Sequence, residues 1–213
     1  MTCFTLVTSP ALEPVTVDEI KAQARIDTSA EDTLIGGLIT AARQWIEFYT
    51  SRALLEQTWR FSFDNWPQQM RDAWEGYERG FSSPLDEAAF IVLPRPQLMA
   101  VTSVQVFDED DVGTVWDSSN YFVDTDSTPG RLALRSGARW PVASRRANGI
   151  CIEYKAGYGD ARADVPEAVR LAVMQLATHW YEHRGDGTAA NGASVPHGVK
   201  ALLCPYRLQS VRL

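Results

Sequence analysis

The chain has 213 residues, of which 27 are acidic and 20 are Lys or Arg, giving a formal net charge of −7. Hydrophobic residues make up 45% of the sequence and aromatic residues 10%, which excludes the class of weakly hydrophobic, disordered proteins. No run of about 18 uncharged apolar residues occurs, so no membrane span is predicted. We also expect no secretory signal, because the amino terminus lacks a basic region followed by an apolar core.

Two helices are predicted in the amino-terminal quarter. Thr16-Val17-Asp18-Glu19 has the pattern of a capping box and predicts a helix that ends near Asp27. A second cap is expected at Ser29, with Asp32 in the first turn of a long amphipathic helix. Its predicted apolar face has a period of about 3.6 residues and contains Leu34, Leu38, Ala41, Ala42, Trp45, Ile46 and Tyr49.

The apolar period changes to two after Gln57, which predicts short strands. We expect them at about 57–63, 90–93, 101–107, 112–116, 121–124, 131–134 and 150–155. Turn signals such as Pro129-Gly130 and Asn148-Gly149 separate these segments. Short strands at this spacing predict a mostly antiparallel sheet or small barrel.

The helical period returns after residues 157–159. Asp164-Val165-Pro166-Glu167 combines a capping box with a proline in the first turn, and the predicted helix stops at Gly185. Residues 185–195 are small and polar, typical of a flexible loop. A short apolar segment at 199–203 and a tail follow. The fold class is therefore α+β, with helices on both sides of a β-rich region.

The sequence contains no recognisable catalytic or cofactor motif. His179 and His183 share a helix face, but the glutamate between them is misplaced for a metalloprotease and no third ligand is suggested. Gly157-Tyr158-Gly159 lacks the other residues of a nucleotide-binding loop, and no Gly-x-Ser-x-Gly elbow is present. We therefore expect no enzymatic activity, no metal and no cofactor. The dispersed Cys3, Cys151 and Cys204 suggest buried thiols in a reducing compartment such as the cytoplasm.

Charge is distributed unevenly over the β-rich region. Residues 105–128 contain seven acidic residues and no Lys or Arg, whereas residues 131–155 contain six Lys or Arg and only Glu153 as an acid. Two oppositely charged edges would allow head-to-tail association into a ring. The candidate inter-subunit residues are Asp108, Glu109, Asp110, Asp111, Arg139, Arg145 and Arg146. Two alternatives remain: solvated loops that never meet, or arginines that bind nucleic acid.

The tryptophans of the β-rich region suggest a third alternative. Stacking on sugars would make the chain a carbohydrate-binding or hydrolytic protein, although core and interface packing is the favoured interpretation. The residues concerned are Trp59, Trp66, Trp74, Trp116 and Trp140.

Several strings together resemble the phage head–tail connector (adaptor) proteins, a family also found in gene transfer agents. The likeness runs in order through most of the chain, and no single string is specific alone. It includes Val15 to Asp27, Gln57-Thr58-Trp59, Leu93-Pro94-Arg95-Pro96, Tyr154 to Gly159, Val165 to Arg170, His179 to Arg184, Val195 to Val199 and Leu202 to Arg207.

This resemblance implies a non-enzymatic, structural role in the virion neck, for a protein made in the cytoplasm of a bacterial host. Connectors of this family form a ring, usually of twelve subunits, beneath the portal protein. They join the portal to a tail-side stopper or terminator protein and surround the DNA channel. The resemblance also implies a discontinuous helical bundle, residues 1–56 and 160–213, interrupted by a β-rich insertion at 57–159.

The carboxyl-terminal segment commonly engages the portal in this family. The corresponding residues here are Val199, Leu202, Leu203, Tyr206, Arg207, Leu208, Val211, Arg212 and Leu213. The alternative is that the segment folds back on its own helical bundle.

Overall fold

The structure is a computed structural model that describes residues 2–64, 66, 90–184 and 195–208. The chain divides into two compact units. A β unit contains residues 2–9 and the described part of 56–157, and a helical unit contains residues 10–55 and the described part of 158–208.

The helical unit contains four described helices: α1 (Val17–Ala24), α2 (Asp32–Thr50), α3 (Glu167–Glu182) and α4 (His197–Leu203). Apolar side chains from all four helices form one buried cluster, and most of its members are less than 3% exposed. It includes Ile20, Ile35, Ile39, Ile46, Val169, Val173, Leu176, Val199 and Leu203. Helices from before and after the β-rich region therefore share one hydrophobic core.

The helix starts follow the sequence signals only in part. Thr16 caps α1 as predicted, because the Glu19 amide donates to Thr16 Oγ1 at 3.1 Å and the Thr16 amide donates to the Glu19 carboxylate at 2.6 Å. The cap expected at Ser29 is wrong, because Ser29 lies in a turn before α2 and its carbonyl accepts the amide of Asp32. The box at 164–167 is also wrong, since the Asp164 carboxylate instead accepts the Ala161 amide in a short 3-10 turn.

The predicted apolar side of α2 is confirmed for most of its residues. Ala42 and Ile46 are buried, and Leu38, Trp45 and Tyr49 pack partly against the core. Leu34 and Ala41 are exposed instead, Leu34 at 43%. Ile35 and Ile39, which were not predicted, are buried. Periodicity could not place the edge of the core-facing side, because apolar residues extend around much of the helix.

A buried ion cluster connects α2 to the segments on either side of it. Arg43 is 4% exposed, and its guanidinium donates to Glu13 at 2.7 Å and to Glu47 at 2.9 Å. Glu47 also accepts the amide of Leu54 at 3.0 Å, and Thr40 donates to Glu13 at 2.9 Å. Each buried charge is therefore paired and hydrogen-bonded, as burial of ions requires.

The start of α2 is held to the end of α3 by a second, exposed ion pair. Arg184 donates to the Glu31 carboxylate at 2.5 and 2.8 Å, and the Tyr181 hydroxyl donates to the same carboxylate. The hydrogen bonds from Arg184, and then that from Tyr181, lower the pKa of Glu31 from 4.5 to about 2. This contact is therefore complete above pH 4.5 and is lost as the pH falls towards 2.

The β unit contains eight described strands in two sheets, and every strand pair is antiparallel. The first sheet has the order β1-β2-β8-β4-β5 and the second β3-β7-β6. The strands are β1 (Thr2–Thr8), β2 (Gln57–Phe63), β3 (Phe90–Val92), β4 (Leu98–Phe107), β5 (Gly113–Val115), β6 (Tyr121–Asp124), β7 (Arg131–Leu134) and β8 (Ile150–Ala156). The predicted α+β class with a mostly antiparallel sheet is confirmed. Strand β1 was not predicted, although Phe4 and Leu6 alternate there with threonines.

The first sheet is apolar on one face and polar on the other. Phe61, Ile152 and Val104 lie side by side on the buried face, and Tyr154 on the same face donates its hydroxyl to the Pro94 carbonyl at 2.8 Å. Burial raises the pKa of Tyr154 well above 10. On the other face, Arg60 pairs with Glu153 at 2.6 Å.

The expectation of buried cysteines holds for one of the three. Cys151 is 7% exposed on β8. Cys3 and Cys204 are exposed, because Cys3 lies on the edge strand β1 and Cys204 lies just beyond the buried part of α4.

The Arg43 cluster yields a stability prediction. We expect Arg43→Ala to lower the free energy of unfolding by about 3–5 kcal/mol, because Glu47 would remain buried without its partner. Urea unfolding measures the change. Lys21→Ala is the control: it removes a pair with Asp32, whose side chain is 43% exposed, and should cost about 1 kcal/mol or less. Equal losses for the two variants would contradict the central role of Arg43.

Candidate assembly surfaces

Much of the predicted portal-docking segment is packed inside the helical unit. Val199 and Leu203 are fully buried, and Leu202 and Tyr206 pack partly against the same core. Helix α4 lies against α3, which explains this burial. The alternative, in which the segment folds back on its own helical bundle, therefore applies to Val199 and Leu203. The prediction that these two side chains contact the portal is contradicted by their burial.

Hydrogen bonds hold the chain to the end of α2 as far as Leu208. The Leu208 amide donates to the Thr50 carbonyl at 3.2 Å, and Arg52 donates to the Tyr206 carbonyl at 2.6 Å. The Arg207 guanidinium lies 5.2 Å from the centre of the Tyr49 ring, yet Arg207 remains exposed. The other predicted docking residues, Val211, Arg212 and Leu213, lie outside the described residues.

The predicted acidic and basic edges meet within one chain. Asp108 accepts the amides of Asp110 at 3.0 Å and Val112 at 2.9 Å, and so caps the turn between β4 and β5. Arg145 donates to Asp111 at 3.2 Å and covers the ring of Phe107 at 4.3 Å. The prediction that placed Asp111 and Arg145 on two separate charged edges is therefore wrong, because the two side chains contact each other. Glu109 and Asp110 remain exposed in the same turn.

Half of the six cations in the basic stretch 131–155 are paired with carboxylates inside the β unit. Arg131 pairs with Asp124 at 2.6 Å, and Lys155 pairs with Glu56 at 2.7 Å. The Ser127 hydroxyl, and then Arg131, hold the pKa of Asp124 well below its usual range. Nucleic-acid binding depends on several cations that are available to phosphates. These pairings weaken the DNA-binding alternative and leave Arg135, Arg139 and Arg146 as exposed cations.

Three tryptophans of the β unit pack on one another. The Trp66 and Trp140 rings stack at 4.4 Å, and Trp116 lies 5.4 Å from Trp140. Trp59 likewise stacks on Phe4 at 4.4 Å. Rings that contact each other in this way offer less surface for a sugar, which favours the packing interpretation. Trp74 lies outside the described residues.

The two histidines lie close together at the end of α3. The rings of His179 and His183, the residue that follows the helix, are 4.4 Å apart. Within the described residues, no group of three or more His, Cys, Asp or Glu side chains is arranged to hold a metal ion. Among the helices that the structure describes, none combines the length and apolar character needed to cross a membrane.

One surface was missed by the sequence analysis: the exposed side of α2. Phe48 is 77% exposed, and it shares this side with Leu34, Gly37 and Ala41. The adjacent glycines Gly36 and Gly37 were the available signal, since glycine is unfavourable in the interior of a long helix.

The chain is similar to known proteins in both sequence and fold. Residues 14–76 match the model of the phage gp6-like head–tail connector protein family. A chain in the neck of an empty gene transfer agent particle, computed with C6 symmetry, has a TM-score of 0.75 and 25% identity, with 99% of this chain and 97% of that chain covered. The comparison with curated proteins gives no match.

Two further solved structures agree. A chain in the virion of a native gene transfer agent particle has a TM-score of 0.74 and 25% identity, covering 99% of this chain and 96% of that one. A chain in the neck of a native particle computed with C12 symmetry has a TM-score of 0.73 and 25% identity, with 99% and 97% covered. Residues 14–76 are therefore similar to the phage head–tail connector family, and the whole chain is similar in fold to chains of gene transfer agent particles. The matches support a structural connector role in a phage-like particle.

The match to the connector family model falls on a defined part of the fold. Residues 14–76 include α1, α2 and β2 as well as residues that the structure does not describe. The buried side of α2 is used by the core, so its exposed side is the part of this connector helix that is available to other molecules.

The position of α4 yields a second prediction. We expect Leu203→Ala to lower the free energy of unfolding by about 2–5 kcal/mol, because it leaves a cavity in the shared core. Cys204→Ala is the control, since the neighbouring Cys204 is exposed and should change stability by about 0.5 kcal/mol or less. Urea unfolding compares the two. If Leu203→Ala were as stable as the control, Leu203 would not be a core residue.

Proposed function

We propose that this chain is a structural connector in the neck of a phage-like particle, where identical copies assemble into a ring. The observation that carries the proposal is the match over 99% of the chain, at TM-scores of 0.73 to 0.75, to chains from gene transfer agent particles. Two of these structures are necks computed with C6 or C12 symmetry, which supports a ring of copies.

We further propose that the ring lies between the portal protein and a tail-side stopper or terminator protein and surrounds the DNA channel. This finer placement rests on the family resemblance. The net charge of −7 is compatible with a channel wall that does not hold DNA tightly, because phosphates would be repelled.

Portal docking is proposed for the residues at the end of the chain. Val199 and Leu203 are excluded by their burial, whereas Arg207 is exposed where the described segment ends. We therefore propose that Arg207, together with Val211, Arg212 and Leu213, contacts the portal. Contacts between copies would include Arg139 and Arg146 facing Glu109 and Asp110, all exposed, with a modest and salt-sensitive contribution.

Removal of the gene from particle-producing cells tests the main proposal. We expect heads and tails to accumulate separately, and a plasmid copy to restore tailed particles, because a connector is required to join the two. Electron microscopy of the released particles measures this. Normal numbers of tailed particles without the protein would overturn the connector function.

Truncation after Leu208 tests portal docking separately. We expect the shortened chain to keep its thermal stability, since the hydrogen bond from the Leu208 amide is retained. Its binding to purified portal protein, measured by surface plasmon resonance, should weaken at least about tenfold, a difference of about 1.4 kcal/mol. Full-length chain carrying Cys204→Ala is the control and should bind normally. Unchanged binding by the truncated chain would exclude docking through residues 209–213.

A further inference from the structure

The exposed side of α2 forms a continuous uncharged surface. We call the α2 outer stripe the set Leu34, Gly37, Ala41, Gln44 and Phe48. At 100° per residue these positions fall within about 80–100° of arc and extend over about 21 Å of helix. Phe48 is 77% exposed and Leu34 is 43% exposed. An exposed helix face usually carries charged residues, and this stripe carries none.

Gly37 has no explanation within the described part of the chain. Glycine inside a helix is less stable than alanine because it adds backbone freedom to the unfolded state. A Cβ atom placed on Gly37 would meet nothing within 4 Å, so no described neighbour requires its absence. The missing side chain leaves a shallow hollow between Leu34 and Ala41, on the same stripe from which Phe48 projects. A protruding ring beside a hollow is suited to packing against another surface.

We infer that the α2 outer stripe packs against a second copy of this chain, as one side of the contact between neighbouring subunits. This inference rests on the proposed ring function. In a cyclic assembly every subunit contacts its two neighbours through two different surfaces, and each surface is covered only by a neighbour. Copies with a net charge of −7 repel one another. Their contact is therefore favoured where charge is absent, and an exposed aromatic residue is typical of an interface centre.

Photo-crosslinking identifies the occupant directly. Phe48 is replaced by p-benzoylphenylalanine in particle-producing cells, and purified particles are irradiated. We expect a covalent dimer of this chain, with mass spectrometry joining Phe48 to a different segment of the second copy. Phe122, 53% exposed on β6, is the matched control position. A crosslink from position 48 to another protein or within the same chain, no crosslink at all, or equal dimer formation from Phe122 would each overturn the inference.

The experiment distinguishes failure of the α2 contact from failure of the connector function. Particles that contain the chain but give no dimer from position 48 overturn the α2 contact and leave the connector function intact. Particles that lack the unsubstituted chain overturn the connector function itself.

The adjacent glycines provide a second test. Gly36 and Gly37 both have open space at Cβ, but Gly36 lies about 100° around the helix and outside the stripe. Gly37→Gln should reduce incorporation of the chain into particles at least tenfold, whereas Gly36→Gln should leave it unchanged. Thermal melts of the isolated variants should show equal or higher stability than the unsubstituted chain, because glutamine favours helix. Equal incorporation of both variants would overturn the inference.

Discussion

The arrangement of the helical unit depends on the burial of Arg43. A guanidinium at 4% exposure is tolerated only when carboxylates and their hydrogen bonds surround it. Glu13 comes from the segment before α1 and Glu47 from the next turn of α2, and Glu47 also holds the chain as it leaves the helix at Leu54. These contacts fix the rotation of α2 about its own axis. The same rotation that turns Ile39 and Ile46 inward turns Phe48 outward, so the core and the candidate assembly surface have one cause.

The elements were predictable wherever local pattern decides structure. Seven of the described strands lie at predicted positions, because period-two alternation and Pro-Gly or Asn-Gly turns are local signals. The Thr16 capping box is local in the same sense. Strand β1 was not predicted because no turn signal joins it to a neighbouring strand, and its partner β2 lies about fifty residues away in sequence. The pairing of β1 with β2 is a tertiary contact, and the residues near β1 in the sequence do not indicate it.

The candidate surfaces were harder to predict, since exposure depends on what the rest of the chain covers. Apolar residues such as Val199 and Leu203 are expected in a docking segment and in a core segment alike. Only the position of α4 against α3 shows that they belong to the core. The prediction of two charged edges was wrong for a related reason. Asp111 and Arg145 are 34 residues apart in sequence, yet they meet at 3.2 Å where the β4–β5 turn meets the chain entering β8. Charge counted along a sequence does not reveal which charges neutralise each other.

The division of the chain also determines when each unit can be completed during synthesis. β1 emerges first, must wait for β2, and joins a sheet whose central strand β8 ends only at Ala156. The helical unit closes later still, because α3 and α4 supply nearly half of its buried core residues after residue 166. A ribosome-bound chain therefore carries α1 and α2 with their apolar sides uncovered for most of translation, the condition under which long-range contacts fold slowly and expose aggregation-prone surface. Premature termination anywhere before α4 would release a connector without a closed core.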